Sequence, residues 1–464
     1  MRAALRGGAP WLALALLAAH PTAAWSAGPV AASLARGDSA WSEGRFTDAR
    51  AAYEMALAAD SLCVRANYKL AVLDSREDRL PGALLLIRRA RAVEPMDPEL
   101  TRTEARILAW SGRYADADTL YAQALAGAPD DADMRLEVAR LRMWENRRDE
   151  ARAELARSLA LDPANLEALK LRRELRTEDR PRLELGVIYA SDSDQNASWS
   201  RTFLTSMSLA QGLRGFFKGG SLSATDPTLE GSRTLGEAGL DFAHGHVQLA
   251  AAAGARWLSP EVLSPRTAPC YRAALSWRAA PAILVGAGFA HFPLDETALL
   301  IGRRVDLDEY QGNLEARLGR RASMSAGGGV TELSDGNRRA SGMVALTSTI
   351  RDHASVGILA RTLSYAERVP GYFSPDRFDM AEGRASQAWT VKPWTGRLVG
   401  GLGVQRVGIG AATQAEWHAE TRLAFGWALA NQIELSVGAS NSATSSTTGA
   451  YRYFTSALTL RAGL

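Results

Sequence analysis

From residue 182 to the C-terminus the chain alternates between two kinds of side chain with a period of two. In "EWHAETRLAFGW" (residues 416–427), Glu416, His418, Glu420 and Arg422 share one face, and Trp417, Leu423, Phe425 and Trp427 share the other. Successive side chains of a strand point to opposite sides of its sheet, so each such segment reads as a strand between two different surroundings. Other segments repeat the scheme. Tyr310, Leu314 and Leu318 oppose Glu309, Glu315 and Arg317, and Tyr271, Leu275 and Trp277 oppose Arg272 and Arg278. Sixteen segments are counted, beginning near residues 182, 199, 212, 233, 246, 270, 281, 309, 320, 338, 353, 377, 397, 414, 431 and 450.

The connections alternate in length. "AQG", "HGH", "AAP" and "GRR" are short, whereas "SATDPTLEGS", "LSPEVLSPRTAP", "FPLDETALLIGRRVDL" and "ERVPGYFSPD" are longer and more polar. Short turns at one end and long loops at the other are the pattern of a bacterial outer-membrane barrel, whose outer wall is apolar with aromatic girdles. An all-β antiparallel barrel of about sixteen strands is therefore expected over 181–464, with both barrel ends on the periplasmic side. A lumen of that width holds water and tolerates charge. A soluble two-sheet sandwich is the other reading of the same alternation.

The N-terminal residues point the same way. Arg2 and Arg6 precede "WLALALLAA" and the small residues of "HPTAAWSA", the composition of a signal peptide, expected over 1–27. No later segment offers about 18 consecutive apolar residues, so no transmembrane helix is expected. A net charge of +3, with no basic stripe, argues against nucleic acid as a partner. The two cysteines, Cys63 and Cys270, exclude a disulfide framework or a cysteine zinc site and read as separate small apolar residues, although one bridge between them is conceivable.

Residues 28–180 follow a different rule. Ala49, Ala83, Ala117 and Ala151 recur every 34 residues, as do Tyr53, Ile87, Tyr121 and Leu155, and Ser61, Pro95, Pro129 and Pro163. Small residues let paired helices approach, large ones fill the seam, and proline ends each second helix. This resembles the tetratricopeptide repeat (TPR). The resemblance implies an all-α solenoid of four repeats, periplasmic here, closed by a polar capping helix near 166–178. Such a solenoid offers a groove to a protein partner or serves as a spacer.

Nine residues are assigned to the lumen wall: Glu309, Glu315, Arg317, Glu382, Arg384, Glu416, His418, Glu420 and Arg422. His418 lies between two carboxylates of its own strand; an ion-pair ladder with Arg422 is the plainer reading, a poised base the other. An outer-membrane hydrolase would need a nucleophile beside His418 or His353, and none is placed by the sequence. His244 and His246 flank Gly245 without a third ligand, and "SDSDQN" lacks the spacing of a calcium loop. No metal, cofactor or catalytic residue is assigned.

The loop "PGYFSPDRF" resembles the Gly-Tyr-Tyr-Ser-Pro signature of the cellulose-export outer-membrane subunit, through Gly371, Tyr372, Phe373, Ser374 and Pro375. The order of signal peptide, TPR solenoid and barrel is similar to the exporters of cellulose and poly-N-acetylglucosamine, and the barrel alone to the YaiO-type outer-membrane family. The first resemblance implies an exopolysaccharide channel with an open, mixed-charge lumen. It also implies glycan contact at the loop and polysaccharide-synthesis proteins as partners of the solenoid. The second implies a structural or surface barrel. An exposed loop pinned by Pro370 and Pro375 is the other reading of the motif.

Overall fold

The computed structural model describes residues 28–319, 321–351, 353–369, 372–428, 431–441 and 452–463. The expected signal peptide lies outside them. Helices α1 (Pro29–Ser42), α2 (Phe46–Ala59), α3 (Val64–Arg76), α4 (Leu80–Val93), α5 (Pro98–Trp110), α6 (Tyr114–Gly127), α7 (Ala132–Trp144), α8 (Arg148–Leu161) and α9 (Leu166–Asp179) form the N-terminal unit. The second helices of the four pairs start at 46, 80, 114 and 148, so the 34-residue period survives in three dimensions.

The repeating columns are the core. Ala49, Ala83, Ala117 and Ala151 are fully buried, and Tyr53, Ile87, Tyr121 and Leu155 fill the seams beside them. Helix α9 closes the stack by burying Ala168, Leu171 and Leu175 against Leu136, Leu155 and Leu159. One further column is structural but not visible as chemistry. Gly44, Asp78, Gly112 and Asn146 all adopt positive φ in the turn within each pair. That left-handed conformation costs L residues energy and is best met by Gly, Asn or Asp.

The remaining chain forms a closed antiparallel barrel. Its strands are β1 (Arg182–Asp192), β2 (Ala197–Ala210), β3 (Leu213–Thr225), β4 (Glu230–His244), β5 (Val247–Pro260), β6 (Arg266–Ala280), β7 (Ile283–Pro293) and β8 (Asp306–Arg317). They continue as β9 (Ala322–Leu333), β10 (Arg338–Arg351), β11 (Ala354–Tyr365), β12 (Phe378–Val391), β13 (Trp394–Val407), β14 (Gln414–Ala428), β15 (Asn431–Ser440) and β16 (Tyr453–Gly463). Each begins within four residues of its expected position. β1 pairs with β16 from Arg182↔Gly463 to Asp192↔Tyr453, so the sheet has no free edge.

The outward face carries two aromatic belts. Trp199, Trp257, Tyr271, Tyr310, Trp417 and Phe454 are exposed toward the loop end, and Phe242, Trp277, Trp394 and Trp427 toward the turn end. Leu240, Leu275, Val344, Ile358, Leu398, Leu423, Leu435 and Leu458 are exposed between them. Ten residues of tilted strand separate Trp417 from Trp427, which is about 25 Å along the barrel axis at ~3.3 Å per residue. That is the height of an outer-membrane apolar band. Among the described residues, no helix is long and apolar enough to cross a membrane.

The solenoid docks on the turn end through its left-handed turns. The Gly245 N–H donates to the Glu145 carbonyl at 2.9 Å, and Asn146 Nδ2 donates to the Gly245 carbonyl at 3.2 Å. Tyr114 stacks on His246, with ring centroids 5.3 Å apart and planes 8° apart. A Cβ on Gly112 would collide with Pro281 in the β6–β7 turn.

Two outcomes follow. Residues 28–180 produced alone should unfold cooperatively, and Tyr121→Ala should cost about 3–5 kcal/mol in urea titrations, because it empties a sealed seam. In the full chain, Leu423→Lys should block insertion, at roughly 2–4 kcal/mol for a lysine facing lipid. Glu420→Lys, on the opposite face, should still give a barrel whose gel migration changes on boiling.

Candidate functional site

The inward positions of three adjacent strands bring four of the nine expected lumen residues together. Across β12, β13 and β14 one row reads Glu382, Gly403, Glu416, and the next reads Arg384, Gly401, His418. The middle strand thus supplies two glycines, and the side chains on either side lean over it. His418 Nδ1 lies 2.5 Å from Glu382 Oε1, and Arg384 Nε donates to the same oxygen at 3.0 Å. Glu382 and Glu416 are buried, at 4% and 2% exposure. Arg361 of β11 lies within electrostatic reach of both carboxylates.

The other five fall elsewhere. Glu309 accepts from Arg339 Nη2 at 2.9 Å near the loop end. Glu315 and Arg317 lie at the turn end, where Arg317 donates to the Pro281 carbonyl. Glu420 and Arg422 pair with each other at 2.5 Å. The expected ladder between His418 and Arg422 is not formed, because a partner two strands away outcompetes one four residues along the same strand. Sequence reasoning missed Arg361 and a second inward pair, Glu237 of β4 with Arg272 of β6 at 2.6 Å.

The loop end departs further from expectation. The connection between β7 and β8, expected as a long polar loop, carries a short helix α10 (Ala298–Arg303) and folds inward. Ala298 and Ile301 pack on Leu222, Ala224, Leu258 and Ala268 from the β3–β6 wall. Leu300 packs with Leu307, Leu333 and Tyr365 from the β8–β11 wall. The helix therefore lays apolar contacts over the inner wall on both sides of β7 instead of leaving it lined by charge alone. Asp295 anchors the segment, accepting from Arg256 Nη1 at 2.9 Å and facing Arg233 Nε at 3.6 Å. Burial pushes the Asp295 carboxyl above the usual carboxylate range against the pull of those arginines.

The motif loop also turns inward. Tyr372 is buried among Leu294, Leu300 and Tyr365. Its hydroxyl donates to Asp335 at 2.9 Å and accepts from Asn337 Nδ2 at 2.9 Å, and burial raises its pKa. Ser374 Oγ accepts from the Val369 N–H at 2.7 Å, and the Pro375 carbonyl accepts from Tyr365. Phe373 meets Phe378 edge to face at 6.3 Å. Gly371 lies outside the described residues. Tyr372, Phe373, Ser374 and Pro375 border a cavity of about 580 Å³ at the mouth, shared with Asp194, Asp226 and Arg368. An exposed loop held only by its prolines does not describe this segment; a second inward strap does.

A family model described as tetratricopeptide repeat matches residues 110–175. Among solved structures, the chain is similar to a bacterial polysaccharide outer membrane secretin at 15% identity and a TM-score of 0.50, over 61% of this chain and 99% of that one. It is also similar to YrrB, a TPR protein with an unusual peptide-binding site, at 20% identity and a TM-score of 0.29, over 31% and 74% of the two chains. A third is OpdQ of Pseudomonas aeruginosa, at 10% identity and a TM-score of 0.36, over 61% and 98%. No curated protein matches the chain. The likeness to the secretin is one of fold alone, over a share of this chain equal to that of the barrel.

The buried hydroxyl of Tyr372 supplies a test of the strap. Tyr372→Phe removes its two hydrogen bonds and should cost about 1–3 kcal/mol, and Tyr372→Ala about 3–5 kcal/mol. Urea unfolding of the vesicle-inserted protein reads both.

Proposed function

We propose that the protein is an outer-membrane channel for an exopolysaccharide, with residues 28–180 as a periplasmic adaptor beneath the barrel of residues 181–464. The observation that carries the reading is the joining of two parts: a sixteen-stranded barrel like that of the polysaccharide secretin, and a TPR solenoid held against its turn end. The lumen wall supports it. Interspersed charges of both signs, such as Glu237 with Arg272 and Glu184 with Arg461, give a neutral polymer many weak contacts and no single strong one. At the mouth, Phe373 offers aromatic surface beside Asp194 and Asp226, the pairing that suits the apolar face and hydroxyls of a sugar ring, and buried Tyr372 holds the loop in place behind it.

In this reading the β7–β8 segment is a gate, held by Asp295 and released when polymer arrives. The solenoid groove takes a periplasmic or inner-membrane protein of polysaccharide synthesis, and no chemistry takes place on the chain. A second reading is a structural barrel of the YaiO type that transports nothing. The apolar packing of α10 inside the mouth favours it, since a permanent plug would be built the same way.

Planar-bilayer recording separates the two. Wild-type protein should show small, intermittent currents with weak ion preference, and Asp295→Ala or removal of residues 295–303 should raise the conductance severalfold. A deletion strain should lose surface polysaccharide. Unchanged polysaccharide, with the gate variants still closed, would establish the structural barrel instead.

A further inference from the structure

The cluster over β13 has the donor chemistry of a metal site. Glu382, Glu416 and His418 each offer one ligand atom, and these atoms all lie within 4.8 Å of one another. We propose that these three residues bind a divalent first-row transition metal, with Zn²⁺ as its representative, on the inner wall of the barrel. The inference does not depend on what the barrel carries.

Several observations support the assignment. The three ligands come from two strands that are not neighbours, and they meet because the strand between them is emptied of side chains at Gly401 and Gly403. A Cβ on Gly401 would overlap Glu382 Oε1 and crowd His418 Nδ1. The carboxylates are almost wholly removed from solvent, and the cationic side chains that face them are Arg384 and Arg361. Two carboxylate oxygens and one imidazole nitrogen suit zinc, iron or manganese, whereas calcium and magnesium favour oxygen alone and copper(I) favours sulfur. Ligands at about 2.0–2.1 Å from a tetrahedral ion sit roughly 3.3 Å apart, so small rotamer changes close the site. Three protein ligands leave a fourth position for water or an oxygen of a ligand in the lumen.

The arginines set the terms of binding. Arg384 holds both oxygens of Glu382 at 3.0 and 3.2 Å, and its side chain is 40% exposed. It can therefore swing toward lumen water as the ion arrives. Arg361 opposes the ion from its own strand. Affinity is consequently lower than that of a closed structural zinc site, and Arg384 is a direct competitor for Glu382.

The test uses full-length protein folded in detergent, stripped by chelator, then titrated with Zn²⁺ against a chromophoric competitor. One equivalent should bind. His418→Gln and Glu382→Gln should weaken it on the order of 100-fold, Gly401→Ala should weaken it as well, and His244→Gln should leave it unchanged. Arg384→Gln should tighten binding severalfold, a gain that a purely structural ion-pair cluster would not give. Zinc-edge X-ray absorption of the wild type keeps the proposal testable if a variant fails to fold: the first shell should be nitrogen and oxygen, with outer scattering from one imidazole. No stoichiometric binding, binding unaffected by His418→Gln, or a shell without imidazole would overturn the site and leave His418 and Glu382 as an ion pair.

Discussion

Closure of the sheet between β1 and β16 is the constraint on which the barrel depends. Away from water, each unpaired backbone amide or carbonyl costs several kcal/mol, so a sheet in a bilayer has to eliminate both of its edges. The eleven residue pairs from Arg182↔Gly463 to Asp192↔Tyr453 do this. Antiparallel closure with an even strand number also brings the first and last strands to the same rim. Residue 182 therefore enters where residue 463 leaves, and the helical unit lies at the turn end by necessity. Once the cylinder is closed, the alternation of each strand becomes a division between inside and outside. Arginine and glutamate then line an enclosed space while Trp, Leu and Val form the wall around it.

That division explains what was legible in the sequence. Strand number, strand starts and the face of every assigned residue follow from period two, because the pleat obliges residues 416, 418, 420 and 422 to share a side. The repeats were legible for a similar reason: each column has one local job, and four independent copies repeat it. Pairings across strands were not. His418 meets Glu382 through a register that joins residues 36 apart, and nothing within a strand encodes which row faces which. The β7–β8 segment escaped notice because α10 has only six residues. "ALLIGR" is too short to display helical periodicity, and its apolar residues make sense only once the inner wall on both sides of β7 is known to meet them. Tyr372 was legible as a motif but not as a buried side chain, since its burial depends on Leu294 and Leu300 of the β7–β8 segment and Leu333 of β9.

The glycines of β13 show how a small residue can matter by what it permits beside it. Gly401 and Gly403 do not mark a turn, and their value lies in letting the flanking strands share one volume. The arrangement works only because β12 and β14 carry long polar side chains in the same rows. Three strands thus act as one local unit, whereas the mouth is organised by two loops that fold inward and pack on the wall.

The column of left-handed turns has a consequence for scale. Gly112 and Asn146, in the third and fourth helix pairs, both shape their repeats and touch the barrel, whereas Gly44 and Asp78 do only the first of these. The seat of the solenoid is thus confined to its end nearest the barrel. Each further 34-residue unit inserted on the far side would lengthen the arm without disturbing that seat. The distance spanned by the arm and the fit of its base are consequently separable properties. Selection can lengthen the one, in whole-repeat increments, while leaving the other untouched.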